Sequence, residues 1–131
     1  MAAGVYNITI EQGASFAFQF VVQNIDLTGY TAKGIIKKLA SDTAILGTFT
    51  CTVISTFGTI VAPINGISTT VQGGIVSVTM TPQQTAALLT TGGTWQDTTN
   101  LVYDIEVATA YTGSELRVLN GYCFVSPEVT P

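Results

Sequence analysis

Histidine is absent from this chain of 131 residues, and charge of either sign is scarce. Without an imidazole, neither a Ser-His-Asp nor a Cys-His nucleophile arrangement is available from these residues. Histidine-ligated zinc is excluded for the same reason. Only Lys33, Lys37, Lys38 and Arg117 are basic. Neutralising a phosphate backbone takes several clustered cations, so nucleic acid is not an expected partner. The three neighbouring lysines read instead as a solvated strand face. The two cysteines, Cys51 and Cys123, have no metal-ligand spacing and cannot supply a four-thiolate site. They read as buried, reduced thiols rather than as a disulfide. No uninterrupted run of eighteen apolar residues occurs, so no membrane-spanning helix is expected. Met1-Ala2-Ala3-Gly4-Val5-Tyr6 lacks the basic and apolar regions of a signal peptide.

Charged residues make up 9% of the chain, against about 25% in an average soluble domain. Apolar residues reach 47%, so a free monomer would be poorly guarded against association. Such a surface suits a protein whose neighbours cover much of it. The length suits a single domain spanning 1–131, large enough for one hydrophobic core.

The dominant pattern is period-two alternation of Thr, Val, Ile and Phe, which predicts strands. Tyr6, Ile8 and Ile10 share one face of the first, and Glu11-Gln12-Gly13-Ala14 predicts a turn. Phe16, Phe18, Phe20 and Val22 alternate strictly and predict a core strand. Asp26-Leu27-Thr28-Gly29 predicts a second turn. Thr31 to Leu39 follows as a strand with Ala32, Gly34 and Ile36 inward. Ile45, Phe49, Cys51 and Val53 form the apolar face of a fourth. Residues 55–74, rich in Gly, Thr and Ser, read as an extended excursion in the form of a hairpin. After a strand over 75–80, Thr81-Pro82-Gln83-Gln84 carries the capping-box pattern, with Thr81 as N-cap, and predicts a short helical turn near 82–89. Leu101, Tyr103, Ile105 and Val107 alternate with outward Val102, Asp104 and Glu106. Gly113 marks a hairpin turn. Glu115 to Val125 forms the last strand, where Gly121 predicts a bulge or a close backbone approach. Seven or eight strands with one tiny helix predict an all-β sandwich, immunoglobulin-like or related, with a barrel as the alternative.

Chemistry-bearing motifs are missing. Asp104 and Glu106 stand about 7 Å apart along a strand, within reach of a glycosidase pair, but any strand with one wet face shows that spacing. Neither Gly73-Gly74 nor Gly92-Gly93 belongs to a phosphate-binding loop, and no calcium loop is present. No enzyme activity, cofactor or metal is expected. Trp95, Tyr111 and Tyr122 are aromatic groups able to stack on a sugar or to anchor a subunit contact.

Several blocks carry a resemblance. They are Tyr6-Asn7-Ile8-Thr9-Ile10-Glu11-Gln12-Gly13-Ala14, Ile25-Asp26-Leu27-Thr28-Gly29-Tyr30-Thr31-Ala32-Lys33, Thr85-Ala86-Ala87-Leu88, Val102-Tyr103-Asp104-Ile105-Glu106-Val107, and Leu119-Asn120-Gly121 leading to Val125-Ser126-Pro127-Glu128-Val129-Thr130. In order and spacing the chain resembles small structural proteins of tailed bacteriophages and the N-terminal β-sandwich of phage upper-baseplate and receptor-binding-protein adaptors. The Asp-Leu-Thr-Gly-Tyr block is the distinctive one. The resemblance implies a cofactor-free virion component, assembled in the host cytoplasm, packed against copies of itself and other virion proteins. A tail, baseplate or neck position leads, with capsid decoration and a carbohydrate-binding adhesin module as alternatives. Membrane is not an expected partner. Gly13 and Gly29 are expected to serve turns, Tyr30 to fill the core or pin a corner, and Thr81 to cap the helix. Segments 54–73 and 91–100 depart from the family pattern and are the expected contact surfaces, with Trp95, Asp97, Tyr111, Tyr122, Pro127 and Val129 as candidate interface residues. The end of the chain from Ser126 reads as an extended tail.

Overall fold

Strand chemistry dominates the structure as it does the sequence. The computed structural model describes residues 3–64, 67–88, 90, 94–109 and 115–128. Its elements are β1 (Gly4–Val5), β2 (Ile8–Glu11), β3 (Phe16–Gln23), β4 (Tyr30–Lys37), β5 (Gly47–Ile64), β6 (Ile67–Met80), α1 (Pro82–Ala86), β7 (Thr99–Thr109) and β8 (Glu115–Ser126). Tyr111, Gly113 and Val129 lie outside the described residues.

The strands form one curled sheet in the order β1-β8-β7-β4-β5-β6-β3, with β2 also paired to β8. Strand β5 turns the corner. Its first residues pair with β4, at Gly34↔Phe49 and Ile36↔Gly47, and the rest pairs with β6 from Thr50↔Thr79 onward. The sheet therefore folds into two layers, an all-β sandwich. One layer holds β1, β2, β8, β7 and β4; the other holds most of β5 with β6 and β3.

The core lies between the layers and follows the alternation. Ile8, Ile10, Ile36, Leu101, Tyr103, Ile105, Val107, Cys123 and Val125 face inward from the first layer. Val22, Val76, Val78 and Met80 face them from the second. Phe49 meets Tyr103 edge-on at 5.9 Å and Phe16 at 6.1 Å, which stitches the corner strand to both sheets.

Several expectations are adjusted. The Phe-rich strand β3 is an edge strand, paired with β6 alone among the described residues. Its Phe16, Phe18 and Phe20 face the core but stay half-buried because no strand lies beyond them. Tyr6 precedes β2 rather than lying within it. It sits in the break between β1 and β2, half exposed, with its ring 5.7 Å from that of Phe18. Ile45 precedes β5 and is exposed. The helix ends at Ala86 rather than near 89, where Ala87 caps it and the Leu88 amide donates to the Thr85 carbonyl. The two cysteines are free as expected, Cys123 buried but Cys51 only half-buried.

The turn and cap residues behave as their chemistry predicts. Gly13 and Gly29 take positive φ, at 84° and 79°. The Thr81 hydroxyl accepts from the Gln84 amide while the Gln84 side chain accepts from the Thr81 amide, closing the capping box. Tyr30 packs half-buried against the core, and its amide donates to the Leu27 carbonyl.

Candidate interaction surfaces

Charge is sorted between the two layers. From Thr43 to Gln96 the chain contains no Asp, Glu, Lys or Arg, and none occurs from Gln12 to Ile25. Strands β3, β5 and β6 are thus wholly uncharged. The opposite layer holds three of the four basic residues on its outer face.

That outer face is built by register. Lys33 of β4 lies beside Glu106 of β7, which lies beside Arg117 of β8. The next row is Ile35, Asp104 and Asn120, and the next is Lys37, Val102 and Tyr122. Lys33 Nζ donates to Glu115 Oε1 at 3.1 Å and stands 3.9 Å from Glu106 Oε2. Its hydrogen bond to Glu115 holds its pKa above the usual lysine range. Arg117 Nε lies 3.5 Å from Asp104 Oδ2. Asp104 and Glu106 are each engaged by a cation, Asp104 by Arg117 and Glu106 by Lys33. A concavity of about 600 Å³ opens on this face between Val5 at one margin and Ala40 at the other, with the Arg117–Asp104 pair in its lining. Asn120 Oδ1 is buried without a hydrogen-bond partner beside it.

The uncharged layer ends in an arm. Beyond the register shifts at Val53/Ser55 and Ser55/Gly58, β5 and β6 continue from Gly58↔Gly73 to Ile64↔Ile67, past the end of β3, whose last pair is Gln23↔Gly73. This is the hairpin expected over 55–74, longer than expected because β5 and β6 run on from the strands on either side. Ile54, Phe57, Val61 and Ile67 are large apolar groups exposed along it, Val61 to 70%. The Asp-Leu-Thr-Gly-Tyr turn plugs the arm's base. Leu27 is fully buried, its amide donates to the Thr56 carbonyl at 2.8 Å, and its side chain fills the space a Cβ on Gly74 would need. Asp26 holds the turn by accepting from the Thr28 hydroxyl at 2.6 Å and the Thr28 amide at 2.9 Å, and these bonds lower its pKa.

Of the expected interface residues, Trp95, Asp97, Tyr122 and Pro127 lie among those described. Trp95 is 61% exposed, and its carbonyl accepts from the Ser126 hydroxyl at 2.7 Å. Asp97 closes the same loop, accepting from the Thr94 hydroxyl at 3.2 Å. Tyr122 stands on the outer face described above, stacked at 6.0 Å on Phe124 and on the same strand as Ser126. The tail does not leave the body at Ser126. The Gln12 amide donates to the Ser126 carbonyl, and the Glu128 amide donates to Gln12 Oε1 at 2.9 Å.

Among the described residues no three of His, Cys, Asp and Glu are grouped to hold a metal ion, and no helix is long and apolar enough to cross a membrane. No family model matches the chain, and no curated protein does. Among solved structures it is similar to the NK cell receptor Nkp44, a triggering partner in natural cytotoxicity, at 20% identity and a TM-score of 0.41, over 96% of this chain and 100% of that one. A likeness of that size carries nothing about function.

Proposed function

We propose that this chain is a non-enzymatic structural subunit of a bacteriophage particle, placed in the tail, baseplate or neck, that works by packing against other virion proteins. The observation that carries the packing role is the uncharged layer with its apolar arm. A surface of this kind, left bare, exposes Ile54, Phe57, Val61 and Ile67 to water with no charge to keep other chains away. A neighbour that covers them removes apolar area from water at about 25 cal/mol per Å². The phage assignment rests on the sequence resemblance. Its most distinctive block, Asp26 to Tyr30, is the turn that anchors the arm, so the resemblance falls on residues that shape the packing surface.

The test is the position of the protein in intact particles, by labelling and electron microscopy. Label on the tail, baseplate or neck supports the reading. Label spread over the capsid faces moves the protein to decoration of the shell. Absence from purified particles refutes a virion role. The exposed Trp95 favours one second reading, a carbohydrate-binding adhesin module. Glycan binding that is lost in Trp95→Ala would support it, and a blank glycan array would remove it.

A further inference from the structure

Among the described residues the curled sheet has two open margins, and they are treated differently. An open strand edge presents unpaired backbone donors and acceptors to any passing strand, and proteins blunt such edges with short strands, breaks, charge, proline or bulges. The β1/β2 margin is blunted. Its strands are two and four residues long, they are interrupted at Tyr6-Asn7, and Glu11 sits at the end. The β3 margin is not. Strand β3 is eight residues long, contains no charge and no proline, and pairs with β6 in unbroken register from Phe16↔Met80 to Gln23↔Gly73. A cleft of about 310 Å³ lies between Tyr6–Thr9 and Phe16–Phe18, where Tyr6 and Phe18 meet ring to ring at 5.7 Å but no ladder pairs β2 with β3 among the described residues.

We infer that β3 pairs antiparallel with β3 of a second copy, about a two-fold axis through Gln19. The strand is complementary to itself in that register. Gln19 meets Gln19, Phe18 meets Phe20, Ala17 meets Val21 and Phe16 meets Val22. Each pair shares a face of the sheet: amide meets amide, ring meets ring, small Ala17 meets branched Val21, and the Phe16 ring meets branched Val22. An isologous contact requires this self-complementarity. Charge permits it as well. Each copy carries a net charge of −4, yet none of its charged residues lies on β3, β5 or β6, so the seam brings no like charges together. The pairing joins two uncharged layers into one continuous sheet. This inference rests on the packing role proposed above and names one partner for it, a second copy of the chain.

Cysteine crosslinking on the purified full chain tests it. Directly paired residues in an antiparallel ladder have Cα atoms about 4.5–5.5 Å apart, inside the span of about 4.4–6.8 Å that a disulfide bridges. Gln19→Cys is expected to give covalent dimers under mild oxidation. Thr52→Cys, exposed on the same layer but two strands inward, is not. An equimolar mixture of Ala17→Cys and Val21→Cys is expected to crosslink to heterodimer, which fixes the register. In sedimentation at high protein concentration, Gln19→Lys is expected to lose the dimer. Crosslinking of Gln19→Cys no greater than that of Thr52→Cys overturns the inference, as does a dimer that survives Gln19→Lys. A chain that is monomeric when pure but crosslinks from position 19 to another protein in particles also overturns it. These measurements use purified protein, so their failure is distinct from a failure to find the protein in particles.

Discussion

The Tyr103 hydroxyl donates a 2.5 Å hydrogen bond to the backbone carbonyl of Tyr6, 97 residues earlier in the chain. The carbonyl belongs to the break between β1 and β2, where the first strand would otherwise be loosest. Two further bonds hold the same break. The Tyr6 amide donates to the Asn120 carbonyl at 2.9 Å, and Asn7 Oδ1 accepts from the Tyr122 amide at 3.0 Å. The N-terminal strand is thus tied to β7 and β8 by one buried phenol and one side-chain amide in addition to its ladder bonds.

Tyr103→Phe should therefore loosen the N-terminal strand without disturbing the core. The ring stays in place against Phe49, and only the hydroxyl is lost. The expected loss of stability is about 1 kcal/mol, the net worth of an ordinary hydrogen bond. Hydrogen exchange gives the sharper reading. The Tyr6 amide should exchange faster in the variant while amides of β7 do not. Equal acceleration in both strands would show that the phenol supports the whole sandwich rather than the break.

Gly121 lies under the same break and admits no side chain. A Cβ there would run into the Tyr6 carbonyl oxygen, with Asn7 Oδ1 at 3.0 Å, and backbone cannot move aside as a flexible side-chain tip can. Gly121→Ala is expected to lower stability by about 2–3 kcal/mol, the cost of overpacking a fitted site. Gly58→Ala is the matched control, since its nearest neighbour would be Ser55 Oγ at 4.0 Å. It should change the thermal midpoint little. A mild effect of Gly121→Ala would mean that β1 and β2 detach from β8 at small cost.

Much of this architecture was legible before any coordinates, and the exceptions have physical reasons. Alternation identified the inward residues of β2, β4 and β7, because a half-buried strand repeats every two residues whatever its neighbours. It cannot count those neighbours, so the strict pattern of Phe16, Phe18 and Phe20 looked the same for an edge as for a centre. Thr81-Pro82-Gln83-Gln84 was readable because a capping box is local. The Asp26-Leu27-Thr28-Gly29 turn was local too, but the destination of Leu27 at the base of the arm depends on contacts with Thr56 and Gly74 that no local pattern encodes. At Gly121 the sequence predicted a bulge or a close approach. The approach is at Gly121, while the extra residue is Val118, between the pairs Ile105↔Leu119 and Glu106↔Arg117. The candidate surfaces were only partly legible. The Trp95 carbonyl meets the Ser126 hydroxyl, a contact between segments that no local pattern encodes. The charge sorting was present as a gap from Thr43 to Gln96, a signal carried by missing residues rather than by a motif.

Thr85 carries more than its place in a five-residue helix implies. It is fully buried, its hydroxyl donates to the Ala14 carbonyl at 2.8 Å, and it accepts from the Gly13 amide at 3.1 Å. The neighbouring Gln12 side chain donates to the carbonyls of Ala86 and Leu88, both at 3.2 Å. Together they dock the helix onto the turn that precedes β3. Thr85→Val keeps the shape and strands two backbone groups, at a cost of about 1–3 kcal/mol. Thr85→Ser keeps the hydroxyl and should recover most of that loss. Urea midpoints for the pair decide the matter. A valine variant as stable as the parent would show that the turn finds other partners.

Alkaline pH should weaken the fold through its buried acids. Burial pushes the Cys51 thiol up to about 11 and the Cys123 thiol up to about 12, from an ordinary value near 9.0. Burial raises the Tyr103 phenol as well, with Tyr6 adding to the shift. Each of these groups is neutral when protonated, and each has a higher pKa folded than unfolded. Their contribution is therefore fully present below about pH 9. It is lost as pH rises toward 11 to 12, because the unfolded chain ionises first and the folded chain resists. Urea midpoints at pH 7.5, 9 and 10.5 should fall mainly over the last interval. Replacing both cysteines, Cys51→Ser with Cys123→Ala, should flatten that fall even if it lowers stability at neutral pH, since the slope reports the titration and the offset reports the packing. Iodoacetamide gives an independent check at pH 8. Cys51 is half-buried and should label slowly in the native protein, whereas Cys123 should label only on unfolding. Parallel pH profiles for parent and double variant would place the alkaline sensitivity elsewhere, with Tyr103 as the next group to test.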